Sequence, residues 1–138
     1  LTSVRAERLT DLIVNLGECS KKQVFTIYEY ATALFHPSKT ESFGNTLIEA
    51  MSAGLPIIAP DLPYAVELCK KSAYFYKYPS STSAANAIVT LVNDHGLRKQ
   101  LVCSGKTQSE KLPTFSVWWR KIKECCLEQT PNSNSDTM

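Results

Sequence analysis

Short apolar runs and helical stretches alternate along the first two thirds of this 138-residue chain. Four of the runs have the length and closing residues of buried strands: residues 12–16, 33–36, 57–59 and 73–76. Because each pair of parallel strands needs a crossover, usually a helix, the alternation predicts an α/β fold, a Rossmann-like parallel sheet with helices on both faces. Ligands of such sheets bind beyond the carboxyl ends of the strands.

The helix boundaries are predicted by residues that cap, end or interrupt a helix. Ser20 caps a helix whose apolar positions recur at the helical spacing. A helix from about Asn45 ends at Gly54, because glycine tolerates the left-handed conformation and Pro56 cannot continue a helix. Further helices are predicted over residues 64–70, after the capping serines and Thr82 as far as a break at Gly96, over residues 97–111 and, after a proline, over residues 115–128.

The length and the 43% hydrophobic content fit one globular domain, predicted over residues 1–128 with a polar lead-in loop over residues 1–10. Residues 129–138 are rich in serine, asparagine and threonine and are predicted to be a disordered tail.

The loop after residues 33–36, together with the helix that follows it, is the strongest candidate for a ligand site. Glu41 lies before the start of that helix and Glu49 about one turn inside it, with seven residues between them. A helix N-terminus leaves backbone N–H groups unpaired and is a natural seat for phosphate. A carboxylate accepts hydrogen bonds from hydroxyl groups. This arrangement suits a ligand with phosphate in the middle and a sugar at each end, as in a nucleotide sugar.

Several short motifs accompany the two glutamates. They read Leu16-Gly17-Glu18, Pro37-Ser38, Glu41-Ser42-Phe43-Gly44, Glu49-Ala50-Met51-Ser52-Ala53-Gly54-Leu55-Pro56-Ile57-Ile58-Ala59 and Asp61-Leu62-Pro63-Tyr64-Ala65-Val66-Glu67-Leu68. Together they resemble the donor-binding, C-terminal domain of GT-B glycosyltransferases of family 4 (glycosyl transferases group 1), which are retaining enzymes with a paired-glutamate signature. Ser42 stands where that family more often has glycine.

The resemblance implies a role for each matching residue. Glu41 would act at the donor sugar as the catalytic position, and Glu49 would take the ribose hydroxyls. The diphosphate would be held through backbone N–H groups of the loop and helix start. The residues implied there are Ser42, Phe43, Gly44, Asn45 and Thr46. Gly17, Glu18 and Cys19 are weaker candidates to border the base.

The resemblance also implies a larger enzyme. We expect this chain to be the C-terminal portion of that enzyme. It would lack the first strands of the donor domain, the whole N-terminal acceptor domain, and an Arg and a Lys that bind the diphosphate. We therefore expect it to be inactive in isolation. The acceptor could be a glycan, a lipid-linked sugar or a small molecule. Two alternatives stay open: a non-catalytic regulatory or assembly module that keeps the fold, and a different α/β nucleotide binder.

Composition narrows the cofactors, the partners and the location. A net charge of +2 with scattered basic residues does not indicate a nucleic-acid partner, and no apolar run has the length of a membrane span. The five cysteines lack metal-ligand spacing, and no Asp-x-Asp pair could hold a metal against a diphosphate. We therefore expect no metal, no cofactor and a cytoplasmic location. Peripheral attachment of the full enzyme to the cytoplasmic face of a membrane is left open.

Four residues near or within candidate motifs also have simpler interpretations. Glu49 could be a solvated helix charge, and Thr46 could cap its own helix rather than meet phosphate. Lys39 is expected to be exposed. His36 is expected to be a packed or hydrogen-bonded histidine rather than a catalytic base, because no nucleophile is spaced to form a triad with it.

Overall fold

The computed structural model describes residues 12–113, 117, 120, 121 and 123–125. The predicted lead-in loop and the predicted disordered tail lie outside the described residues. Of the last predicted helix, over residues 115–128, the six described residues are helical. In the part of the chain that is described, no helix is long and apolar enough to cross a membrane.

The described residues include three strands in one parallel sheet. They are β1 (Leu34–Phe35), β2 (Ile57–Pro60) and β3 (Ala73–Tyr76), side by side in that order. In the register of the sheet, Leu34 pairs with Ile57 and Ile57 pairs with Ala73. The prediction of a parallel sheet is confirmed, with three of the four predicted strands in place.

Within residues 12–113, five helices surround the sheet. They are α1 (Lys21–Tyr30), α2 (Asn45–Ala53), α3 (Pro63–Cys69), α4 (Ser81–Asn93) and α5 (His95–Lys111). Ser20 caps α1 reciprocally with Gln23: the Gln23 N–H donates to the Ser20 hydroxyl oxygen, and the Gln23 side chain accepts from the Ser20 N–H at 2.8 Å. Helix α2 ends at Gly54, whose φ of 73° lies in the left-handed region, as predicted.

Strand β2 divides the hydrophobic core into two clusters, because successive side chains of a strand point to opposite faces. Ile57 and Ala59 pack on one face with Met51 and with helices α2 and α3. Ile58 packs on the other face with Leu91 of α4 and with the buried part of α5. All four residues of β2 are buried. The prediction of helices on both faces is therefore confirmed.

The apolar run over residues 12–16 is not a strand, so this prediction was wrong. The run is irregular and exposed, with Leu12 at 79% and Val14 at 77% of full exposure. A strand becomes buried only when a neighbouring strand takes its backbone hydrogen bonds and another layer covers its side chains. Within residues 12–113 the run pairs with no strand of the sheet.

The break between α4 and α5 lies at Asp94, two residues before the predicted break at Gly96. Asp94 ends α4 with its own N–H, which donates to the Thr90 carbonyl at 2.9 Å, and it begins α5 by accepting the Leu97 N–H at 2.8 Å. Gly96 lies inside the first turn of α5 rather than at the break. An aspartate is a strong N-cap, whereas a glycine within the first turn costs little.

Candidate functional site

The candidate site begins at the carboxyl end of β1, where the chain leaves the sheet. His36 still belongs to the sheet through its backbone, since its N–H donates to the Ile58 carbonyl at 2.9 Å. The loop over residues 37–44 then leads to α2. The Tyr64 hydroxyl of α3 donates to the Ser38 carbonyl and ties this loop down. The loop therefore lies where parallel sheets present their ligand sites.

Gly44 forms the junction between the loop and α2. Its φ of 76° lies in the left-handed region, and a Cβ added there would clash with Cδ2 of Leu68. Both facts favour glycine at this position. Gly44, rather than Thr46, is the N-cap, and a glycine has no side chain to accept the first amides of α2. The start of α2 therefore presents backbone N–H groups that no capping side chain covers.

A cavity of about 300 Å³ lies beside this junction. Its walls come from the loop, from α3 and from the end of α5. The lining residues are Glu41, Ser42, Phe43, Gly44, Tyr64, Glu67, Leu68 and Leu112. Four of the predicted donor-site residues therefore lie together in one cavity: Glu41, Ser42, Phe43 and Gly44.

Glu41 is the partly buried carboxylate of this cavity, with its side chain 25% exposed. One of its oxygens, Oε1, accepts the Ser42 N–H at 3.2 Å. The other oxygen, Oε2, lies 3.7 Å from Nε2 of His36. Glu41 thus lies between its own loop, which it hydrogen-bonds, and His36 at the end of β1.

His36 is packed, as predicted. It is 6% exposed, and its ring meets the Tyr64 ring edge to face, with 6.2 Å between centroids. Burial holds the pKa of His36 below its ordinary value of 6.5, and the negative charge of Glu41 opposes that shift. Nε2 of His36 is buried without a hydrogen-bond partner among the described residues.

Glu49 lies within α2, after its first turn, and does not line this cavity. It is partly buried and close to Tyr28 of α1, whose pKa is raised first by burial and then by the Glu49 charge. Asn45 and Thr46, at the start of α2, also lie outside the cavity lining. The two glutamates therefore flank the start of α2 from different sides rather than sharing one pocket.

Gly17 and Glu18 are exposed, in the segment that leads to α1. Gly17 has a φ of 67°, and its N–H donates to Oδ1 of Asn15 at 2.9 Å in a local turn. A second cavity, of about 390 Å³, lies between Cys19, Leu16 and one face of α1. These predicted base-bordering residues lie on the α1 side, which is also the side of Glu49.

Comparison with known proteins identifies the family. Residues 2–108 match the family described as Glycosyl transferases group 1. The chain belongs to this family. The fold agrees: a sucrose-phosphate synthase from Thermosynechococcus elongatus superimposes on 92% of this chain with a TM-score of 0.79, while the chain covers 32% of that structure. At 21% identity this likeness shows the fold alone, that of a GT-B glycosyltransferase.

Two relatives of this group 1 family member are named mannosyltransferases. An O-antigen chain mannosyltransferase of Salmonella typhimurium is 34% identical over 80 residues, which are 58% of this chain and 23% of that protein. A phosphatidyl-myo-inositol mannosyltransferase of Mycobacterium leprae is 37% identical over 67 residues, which are 47% of this chain and 18% of that protein. The chain thus spans about a quarter or less of the length of these relatives.

The far wall of the Glu41 cavity in this group 1 domain comes partly from a motif that the sequence showed, residues 61–68, but no site role was predicted for its residues. Tyr64, Glu67 and Leu68 reach it because α3 folds back over the loop, and Leu112 reaches it from the end of α5. Tyr64 lies 26 residues beyond its hydrogen-bond partner Ser38, so no local pattern joins the two. The available signal was the Pro63-Tyr64 pair, which fixes the start of α3.

A metal site is not evident in the part of the chain that the structure describes. No group of three His, Cys, Asp or Glu side chains comes together there. Cys69 is buried, and burial raises the pKa of its thiol to about 11, which disfavours the thiolate that metals bind. The polar groups at the candidate site are backbone N–H groups, the carboxylates of Glu41 and Glu67, and the hydroxyl groups of Ser42 and Tyr64.

Proposed function

We propose that this domain binds the nucleotide-sugar donor of a retaining glycosyltransferase of family 4. The full enzyme would transfer the sugar to a glycan, lipid-linked or small-molecule acceptor held by an N-terminal domain. The observation that supports this proposal best is the junction at Gly44. There an uncapped helix start and the Glu41 cavity meet, and glycine has no capping side chain to occupy the first N–H groups of α2.

The donor diphosphate would lie at the start of α2. Backbone N–H groups there carry the partial positive charge of the helix, and they are open to phosphate oxygens because no capping side chain occupies them. As the bond between sugar and phosphate breaks, negative charge grows on the diphosphate. Preorganised N–H donors stabilise that charge without the help of a protein acid.

The sugar and the nucleoside would leave the diphosphate in opposite directions. The sugar would enter the cavity beside Glu41, whose volume of about 300 Å³ lies at the lower end of ligand pockets. The ribose would extend toward Glu49 and α1, and the base toward Gly17, Glu18 and Cys19. The separation of the two glutamates by α2 supports this division of the donor.

Binding without a divalent metal follows from the same chemistry. Helix N–H groups, with an Arg and a Lys of the full enzyme, would meet the diphosphate charge directly. The test is a calorimetric titration of the full chain with UDP, GDP and a panel of their sugar conjugates, with and without EDTA. We expect saturable binding of one nucleotide class with the same affinity under both conditions.

Two results would contradict the proposal. Absence of binding across the whole panel would remove the donor-binding role and favour the non-catalytic module. A loss of affinity of tenfold or more in EDTA, equivalent to about 1.4 kcal/mol, would mean that a divalent metal coordinates the diphosphate.

A further inference from the structure

We propose that His36 is a positioning residue for Glu41, whose carboxylate it orients toward the cavity through its buried Nε2. The inference rests on the proposed function, in which Glu41 meets the donor sugar. It assigns no chemistry to His36 itself, because the ring does not line the cavity.

The His36 ring is fixed from several directions. Its backbone is bonded into the sheet through the Ile58 carbonyl, and its side chain is 8% exposed. The edge of the Tyr64 ring packs against it, while the Tyr64 hydroxyl is engaged by the Ser38 carbonyl. A ring held in this way is a rigid support for a neighbouring side chain on a loop.

Nε2 of His36 is buried without a hydrogen-bond partner among the described residues, and the Glu41 carboxylate lies 3.7 Å from it. Buried polar atoms in proteins are nearly always hydrogen-bonded. The Nε2–Oε2 distance of 3.7 Å exceeds the hydrogen-bond limit of about 3.2 Å, so the proposed contact requires the Glu41 side chain to move closer. Glu41 is the more exposed of the two side chains and so the one that can move.

Because the His36 ring is uncharged, it can orient the Glu41 carboxylate without neutralising its negative charge. Because burial disfavours the imidazolium, His36 is neutral at neutral pH and carries its proton on one nitrogen. A neutral Nε2–H that donates to Glu41 fixes the carboxylate and leaves its negative charge for the sugar side of the cavity. The titratable groups that the structure places beside the ring are Glu41 on the loop and Tyr64 on α3.

The first test needs no ligand. The chain has two histidines, so a His95→Gln variant assigns the imidazole signals in long-range proton–nitrogen NMR spectra. We expect the Nε2–H tautomer at His36, and we expect Glu41→Gln to lower the His36 titration midpoint because it removes the charge that opposes the shift. Glu67→Gln, on the far wall of the same cavity, should leave the midpoint unchanged. An Nδ1–H tautomer, or a midpoint that ignores Glu41→Gln, would overturn the proposal.

The second test compares two replacements of His36 in calorimetric titrations of the full chain. His36→Gln keeps an N–H donor near the place of Nε2, whereas His36→Leu keeps only bulk. We expect His36→Leu to weaken binding of the sugar nucleotide about fivefold, to leave nucleoside diphosphate binding unchanged and to add nothing to Glu41→Gln. His36→Gln should restore most of the affinity. Equal losses in both variants, or a loss for the diphosphate alone, would mean that His36 serves only the fold.

The two tests separate this inference from the proposed function. If no sugar nucleotide binds but the NMR coupling between His36 and Glu41 is present, the donor-binding role fails and the positioning contact stands. If sugar nucleotides bind and the coupling is absent, the donor-binding role stands and the positioning role fails.

Discussion

The two sides of the start of α2 differ in how firmly they hold their glutamate. On one side, Glu41 sits on a loop tied to α3 and lies next to a buried histidine that the sheet holds in place. On the other side, Glu49 projects from a regular helix toward Tyr28 of α1. A carboxylate needs such support when its direction matters to a reacting sugar, and much less when it only accepts ribose hydroxyls. The difference in support therefore predicts a difference in role.

The largest expected effect comes from filling the space at the junction. Gly44→Ala combines a left-handed backbone with a clash against the Leu68 side chain, and should lower the free energy of unfolding by about 2–3 kcal/mol. Gly17→Ala is the matched control: its φ of 67° is similar, but nothing lies within 4 Å of the added Cβ, so about 1 kcal/mol or less is expected. Urea denaturation measures both. Equal losses would show that the packing at Gly44 is unimportant.

A smaller effect on the free energy of unfolding is expected on acidification. It comes from His36, on the Glu41 side of α2 alone. Since burial holds the pKa of His36 below 6.5, the unfolded chain binds more protons than the folded chain as the pH falls below that value. Stability is therefore lost on acidification, by less than about 1.4 kcal/mol per pH unit for one group.

The measurement is the free energy of unfolding from about pH 7.5 to about pH 5.5, before most carboxylates titrate. His36→Leu should flatten this dependence, and the Glu49→Gln variant should retain it. A wild-type curve that rises on acidification through this range would contradict the sign of the shift.

The smallest effect is expected on the Glu49 side. Glu49→Gln should change the free energy of unfolding by less than about 0.5 kcal/mol, because a helix dipole acts weakly on a partly exposed charge beyond the first turn. Thermal melts followed by circular dichroism check this. A loss of several degrees would mean that Glu49 supports the packing of α1 against α2 rather than a ligand.

The sequence predicted the elements whose limits are set by neighbouring residues. Gly54 and Pro56 fix the end of α2, and Ser20 fixes the start of α1, because caps and breakers act within one turn. The run over residues 12–16 failed because its burial depends on pairing and covering layers that no local pattern contains. The break at Asp94 was missed because a strong cap outweighs a nearby glycine.

For the candidate site too, residues within a local motif were predictable, whereas contacts between distant residues were not. Gly44 and Glu41 were found because a motif carries them along the chain. Spacing alone suggested that both glutamates serve one ligand, but it could not show that α2 would separate them. Tyr64 lies in one of the motifs, but its contact with the loop was not predicted, because that contact joins distant parts of the chain.

The most direct test of the proposed division is a pair of titrations with Glu41→Gln and Glu49→Gln against nucleoside diphosphate and against the intact sugar nucleotide. A charge-assisted hydrogen bond is worth on the order of 1.5–3 kcal/mol, and glutamine keeps part of it, so a loss of about tenfold is expected where the glutamate touches the ligand. Glu49→Gln should weaken both ligands, and Glu41→Gln should weaken only the sugar nucleotide. Equal behaviour of the two variants, or diphosphate binding by Glu49→Gln that matches the parent, would contradict the assignment.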